Sequence, residues 1–160
     1  RTRAWAEGGY YARVFVNVEG REPQGAVRPG DYEAFRDELI RRIEAIPGPD
    51  GRPMGTRVLR PESLYRQVRN IPPDLVALLG DLRWRSIGSV GGEGIHTTEN
   101  DTGPDDANHS MYGVFIAAGP GFEAAGPAGD RQIYDVAPTV LDLFGIEAPS
   151  DMIGASIRRG

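Results

Sequence analysis

Cysteine is absent from the 160 residues of this chain. That excludes a disulfide framework and any zinc site built on thiolates, so a bound metal has to draw on His, Asp or Glu. Lysine is absent as well, and all 18 basic side chains are arginine. Arginine suits bidentate phosphate binding, but these arginines are scattered, and the scatter reads as compositional bias rather than a phosphate site. No apolar run approaches the roughly 18 residues that a membrane span needs. The first residues, Arg1 to Trp5, hold no apolar signal stretch. An initiator methionine is also missing, which reads as a start inside a longer protein. The lack of cysteine and of an export signal gives a cytoplasmic expectation, with no membrane partner. A formal net charge of -5 with a pI near 5.1 argues against a nucleic-acid polymer, which demands a clustered basic face.

What is present describes a folded, loop-rich chain. Hydrophobic residues make up 39% and charged residues 26%, enough to bury a core, while 22 glycines and 13 prolines punctuate it without forming a repeat. Tyr10 to Val18 is rich in β-branched and aromatic residues and reads as a strand. Tyr32, Phe35, Leu39, Ile43 and Ile46 fall on one helical face, with Asp31 placed to cap the start, Arg41 and Arg42 suited to the end, and Pro47-Gly48 as the stop. Thr56 to Arg60 reads as a short strand, Pro61 to Gln67 as a helix opened by proline, Asp74 to Leu79 as a buried strand and Leu82 to Ser89 as an edge strand. Tyr112 to Ala118 reads as a second buried strand, closed by Gly119-Pro120-Gly121. A helix beginning at Asp135 presents Val136, Val140, Leu141 and Phe144 on its apolar face and stops at Gly145. Alternating strands and helices give an α/β class. Residues 1–160 are expected to form one segment with no internal domain boundary.

Residues 88–110 stand apart. They hold almost no large apolar side chain, they are too long for an ordinary connection, and both histidines, His96 and His109, lie within them. His109 follows Glu99, Asp101, Asp105 and Asp106 and precedes an apolar run, at a strand lip of the kind where α/β proteins gather active-site groups. Asp105 and Asp106 read either as contacts to a cation or substrate or as a solvated turn that caps loop amides. Trp5, Trp84 and the tyrosines read as packing residues.

Four features occur in order: His109-Ser110, an apolar run ending in Gly119-Pro120-Gly121, Asp135-Val136-Ala137-Pro138-Thr139, and Asp151-Met152-Ile153-Gly154. Together they resemble the C-terminal part of the alkaline phosphatase superfamily. Asn17 to Gly25 is similar to a segment of its type I phosphodiesterase and nucleotide pyrophosphatase-like branch, whose members include phosphohydrolases and phosphomutases. The resemblance runs from about residue 5 to residue 157 and is closest over 99–154. It implies a three-layer α/β/α sandwich and a hydrolase of small-molecule phosphate esters that uses two divalent metals, zinc or manganese. It also implies that His109 is a metal ligand; His96-Thr97 resembles the His-Thr form of the same motif, but its longer distance to Gly119 favours His109.

The family's first aspartate, its nucleophile and its aspartate–histidine ligand pairs have no assigned counterpart in this chain, and each catalytic metal needs about three protein ligands. The expectation is therefore a C-terminal part that contributes one ligand, takes the rest of the parent polypeptide as its partner, and does not catalyse alone. The alternative is a non-catalytic interaction or regulatory module on the same scaffold.

Overall fold

The computed structural model of the chain describes residues 1–88, 91, 92, 94–99, 107–120, 122, 126, 127 and 129–158. They fall into two compact units, Arg1–Met111 and Tyr112–Gly160. The fold is mixed α/β, with one four-stranded antiparallel sheet and three helices among the described residues.

In the first unit the strands are β1 (Ala4–Glu7), β2 (Ala12–Val16), β3 (Arg57–Leu59) and β4 (Leu75–Leu78), in the order β1-β2-β4-β3. Each neighbouring pair runs antiparallel, with Ala4 opposite Val16, Ala12 opposite Ala77 and Val58 opposite Ala77. β2 alternates as its sequence demands: Ala12, Val14 and Val16 are buried while Arg13 is exposed. Helix α1 (Tyr32–Glu44) lies against that buried face. Its Leu39, Ile40 and Ile43 pack on Ala12, Val14, Val58, Leu75 and Ala77. Phe35 joins Val16, Val18 and Val27 in a second cluster, with Tyr32 and Ala4 at its margin. Val16, Val27 and Leu75 are fully buried, each worth about 1.5–3 kcal/mol relative to exposure. The helix phase read from the sequence is thus the one that packs. Asp31 does not cap it; a 3₁₀ turn, Pro29–Asp31, leads in, and the Tyr32 N–H donates to the Pro29 carbonyl. Helix α2 (Pro61–Leu64) is a single turn opened by proline.

Two strand expectations fail. Residues 82–88 form a turn and an irregular stretch whose one β-type pairing among the described residues is the isolated antiparallel bridge between Ser86 and Gly9; Ser89 lies outside the described residues. The second failure is in the second unit, where Tyr112 to Ala118 belongs to no sheet, with Val114 90% and Ile116 83% exposed. An apolar run satisfies the composition of a buried strand, but a strand exists only where another pairs with it.

The second unit centres on helix α3 (Val136–Leu143), entered through a 3₁₀ turn at Ile133–Asp135. Pro138 sits in the first turn, where its missing N–H costs nothing. Asp135 again does not cap the helix. Its Oδ2 accepts the Gln132 N–H at 3.0 Å and its Oδ1 the Ala155 N–H at 3.1 Å, fastening the tail to the helix entry. Thr139, buried, donates to the Asp135 carbonyl at 2.5 Å and accepts the Ile157 N–H at 3.1 Å. Gly154 passes so close that a Cβ there would stand 2.0 Å from the Tyr134 carbonyl oxygen. Among the described residues no helix is long and apolar enough to cross a membrane.

Candidate functional site

Two clusters of polar side chains stand out, and they have opposite character. The first surrounds Asp74, immediately before β4. Its carboxylate accepts the Val16 N–H at 2.6 Å, beyond the last residue pair of the β2–β4 ladder. It also takes both arms of the Arg21 guanidinium at 2.7 Å and the Tyr32 hydroxyl. Arg21 in turn donates to the Val16 carbonyl at 2.5 Å and pairs with Glu22 at 3.0 Å. The whole 17–27 loop is wound around this knot, with the Asn17 amide donating to the Thr2 and Gln24 carbonyls.

Burial alone would raise the Asp74 carboxyl, but the bonds from Arg21, Tyr32 and Val16 outweigh it and hold the group below the usual carboxylate range. Burial and the Asp74 carboxylate push the Tyr32 hydroxyl up to about 12. Beside it, buried Arg36 pairs with Glu33 at 3.1 Å and Glu62 at 2.6 Å. Perturbed groups of this kind often mark active sites. Here every shift is accounted for by a partner within the protein, so the knot is structural. Nothing local in the sequence singled out Asp74, whose partners lie 42 to 58 residues away.

The second cluster surrounds His109 and is exposed. Its floor is an unusual turn: Gly80, Asp81 and Leu82 all have left-handed backbone, at φ of 56°, 54° and 66°. The conformation costs about 1–2 kcal/mol at each non-glycine residue and persists only where the surroundings impose it. They do so here. The Gly80 N–H donates to the Thr56 hydroxyl at 3.2 Å, Arg57 pairs with Asp81 at 2.8 Å, and the Asn108 amide donates to the Leu82 carbonyl at 2.5 Å. The Asn108 Oδ1 then accepts the His109 N–H at 2.9 Å. The His109 ring lies on Tyr10, with centroids 3.9 Å apart and planes 17° from parallel. Tyr10 is held there because Gly9 and Ser86 exchange backbone bonds at 2.9 and 3.0 Å.

His96 is elsewhere, partly buried near Trp84 at 5.4 Å, with its Nε2 unpartnered. Glu99 is exposed; Asp101, Asp105 and Asp106 lie outside the described residues. No group of three His, Asp or Glu able to hold a metal ion occurs among the described residues. One imidazole is a sound donor for zinc or manganese, but it cannot fix an ion by itself. The spacing Asp105-x-x-x-His109 is a signal in the sequence that the motif reading passed over. Tyr10 was read as packing and Asn108 was not singled out. A cleft of about 320 Å³ is lined by Asp50, Arg52, Met54, Gly80, Arg83 and Trp84, and its carboxylate, Asp50, lies 3.8 Å from the Arg52 guanidinium.

Compared with models of known families, with curated proteins and with solved structures, the chain finds no match.

Proposed function

We propose that this chain is the C-terminal part of a metal-dependent phosphoric ester hydrolase resembling the alkaline phosphatase superfamily, in its phosphodiesterase and nucleotide pyrophosphatase-like branch. The substrate is a small phosphate ester: a monoester, a diester or a phosphomutase substrate. The complete enzyme is a three-layer α/β/α sandwich to which this chain contributes strands and helices. His109 contributes one metal ligand, and the nucleophile and remaining ligands come from the rest of the parent polypeptide. Two zinc or manganese ions, when bound, stabilise the attacking and leaving oxygens of the displaced phosphoryl group.

The observation that carries the reading is the presentation of His109 at the head of the ordered motif set. The residue is exposed and its ring stacks on Tyr10, an arrangement that engages a π-face rather than the in-plane nitrogens. Metal coordination uses those in-plane nitrogens. The apolar side chains exposed between Tyr112 and Ile153 are consistent with a segment that packs against further polypeptide.

The test is His109→Ala in the complete polypeptide. Zinc or manganese content and phosphate-ester hydrolysis are expected to fall by about 10–100-fold or more. Unchanged metal stoichiometry would overturn the assignment. The purified 160-residue chain is expected to show no turnover of a nitrophenyl phosphate ester, and metal-dependent turnover by it would overturn the division of labour.

The second reading is a non-catalytic interaction module. It is favoured by the same exposed apolar side chains, together with the lack of a ligand cluster among the described residues. A parent polypeptide with no nucleophile and no aspartate–histidine pair would decide for it.

A further inference from the structure

We propose that the cleft of about 320 Å³ beside the left-handed turn binds a small aromatic phosphate, with its flat ring against the Trp84 indole and its phosphate oxygens on the guanidinium groups of Arg52 and Arg83. The inference does not depend on the role given to His109 and needs no metal ion.

The cleft is framed by two segments that flank the β3–β4 pair, one before β3 and one after β4. In the first, Pro47 and Pro53 form an antiparallel bridge, the Gly48 N–H donates to the Arg52 carbonyl at 2.8 Å and the Gly51 N–H to the Gly48 carbonyl at 2.9 Å. In the second, the Gly80 N–H donates to the Thr56 hydroxyl, the Arg83 N–H to the Gly80 carbonyl and the Trp84 N–H to the Leu79 carbonyl, each at 3.2 Å. Gly80 lets the indole approach: a Cβ there would stand 2.8 Å from the Trp84 Cδ1, and its backbone, at φ 56°, is of the kind glycine adopts without cost. The His96 ring lies 5.4 Å from the indole at 59°. The ring surface is thus located before a ligand arrives, which lowers the ordering cost of binding.

The charges of the cleft do not balance. Arg83 is exposed and has no ion-pair partner among the described residues. Asp50 is engaged in its own turn, where its Oδ1 accepts the Arg52 N–H at 3.0 Å. Its Oδ2 stands 3.8 Å from the Arg52 guanidinium, and the two side chains are 61% and 86% exposed. Such a pair contributes little and yields to a better acceptor. Two guanidinium forks therefore face one loosely held carboxylate, in a chain whose net charge is -5. A guanidinium matches phosphate oxygens bidentately, and two of them suit a phosphate monoester, close to a dianion at neutral pH, better than a singly charged carboxylate. A bare anion would leave the indole, Met54 and Pro53 uncovered, and a neutral aromatic would leave both cations unanswered. The lining selects a molecule with both parts, and the volume, at the small end of ligand pockets, takes one such molecule rather than a polymer. Arg52 and Arg83 are distant in the chain, so their scatter in the sequence concealed their meeting on one cleft.

The experiment uses the two tryptophans. Isotopic nitrogen labelling gives two indole N–H resonances, and Trp5→Phe identifies that of Trp84. Phenyl phosphate is titrated into the chain with a chelator present, so that no metal contributes. The Trp84 resonance is expected to move to saturation while that of Trp5 stays in place. Inorganic phosphate and phenol should each bind about tenfold more weakly or worse, and Arg52→Gln and Arg83→Gln should each weaken phenyl phosphate by about tenfold. Both arginines are exposed, so an unmoved Trp5 resonance suffices to show that the variants fold. A Trp84 resonance indifferent to phenyl phosphate overturns the proposal, and unaltered affinity in either variant overturns the two-arginine site. Inorganic phosphate binding as tightly as phenyl phosphate overturns the role of the ring, and phenol doing so overturns that of the anion.

Discussion

Asp74 and Asp135 perform the same local task in two different regions. Each carboxylate accepts backbone N–H groups from chain segments that would otherwise part. Asp74 does so in a buried setting, where it also needs the Arg21 guanidinium and the Tyr32 hydroxyl to offset its desolvation. Asp135 does so in solvent, with two amides sufficing to hold its carboxyl below the ordinary range. The first region has a sheet and a helix that exclude water, so its polar contacts are strong and their loss is costly. In the second, Tyr112, Val114, Ile116, Ile133 and Phe144 are all exposed, and the same type of bond has little burial to strengthen it.

The contrast can be tested by breaking the polar ties of each region and the tightest glycine of the first. Asp74→Ala leaves the Val16 N–H, the Tyr32 hydroxyl and the Arg21 guanidinium without their acceptor. The expected loss is about 3–5 kcal/mol in urea unfolding, toward the lower end because Arg21 is 44% exposed and can be partly resolvated. A loss below about 1 kcal/mol would remove the basis of the comparison.

The same knot predicts the pH limits of the first region. The native Asp74 carboxyl is lowered from 3.8, so between its depressed value and about 4 the unfolded chain binds more protons. Its contribution is complete above that range and is lost as the pH falls through it. Tyr32 is raised from 10.0 to about 12, so between those values the unfolded chain has released a proton that the native state keeps. Stability there declines as pH rises. Unfolding free energies across both windows check the signs, with Tyr32→Phe removing the alkaline limb and, because the hydroxyl also helps to hold Asp74 low, reducing the acid one.

Smaller effects follow from close approach. A Cβ at Gly25 would stand 2.3 Å from the Glu19 Cα, so Gly25→Ala is expected to cost about 1–3 kcal/mol, against little at Gly30, where nothing lies within 4 Å. In the second region, Thr139→Val removes the hydroxyl that joins Asp135 to Ile157 and is expected to cost about 1 kcal/mol by thermal unfolding. Asp135→Asn should have the least effect, visible as faster exchange of the Gln132 and Ala155 amides with global stability little changed. An effect as large as that at Asp74 would show the two regions to be alike.

Local chemistry made part of this molecule legible in advance. The apolar phase of Tyr32 to Ile43 and the alternation of Ala12 to Val16 are short-range patterns, and both elements form with those residues inward. The position of α3, with Pro138 in its first turn, was legible for the same reason. Tyr112 to Ala118 misled because its composition meets the requirement of a buried strand while pairing depends on residues distant in the chain. Likewise Asp31 and Asp135 carry the right side chain at a helix start, yet neither caps, because a 3₁₀ turn precedes each helix.

The sequence by itself determined the packing face of α1, the inward side of β2, the want of thiolate ligands and the choice of His109 as the residue of interest; on α3 the expected face fails, since Val136, Val140 and Phe144 are exposed and Pro138 and Thr139 are buried. Only the tertiary structure decided that Asp74 closes the 17–27 loop and that Tyr10 and Asn108 hold His109, bringing residue 10 against residue 109 and residue 82 against residue 108. Periodicity encodes which way a side chain faces within its own element; which distant partner it meets depends on how the elements pack, and no local pattern records that.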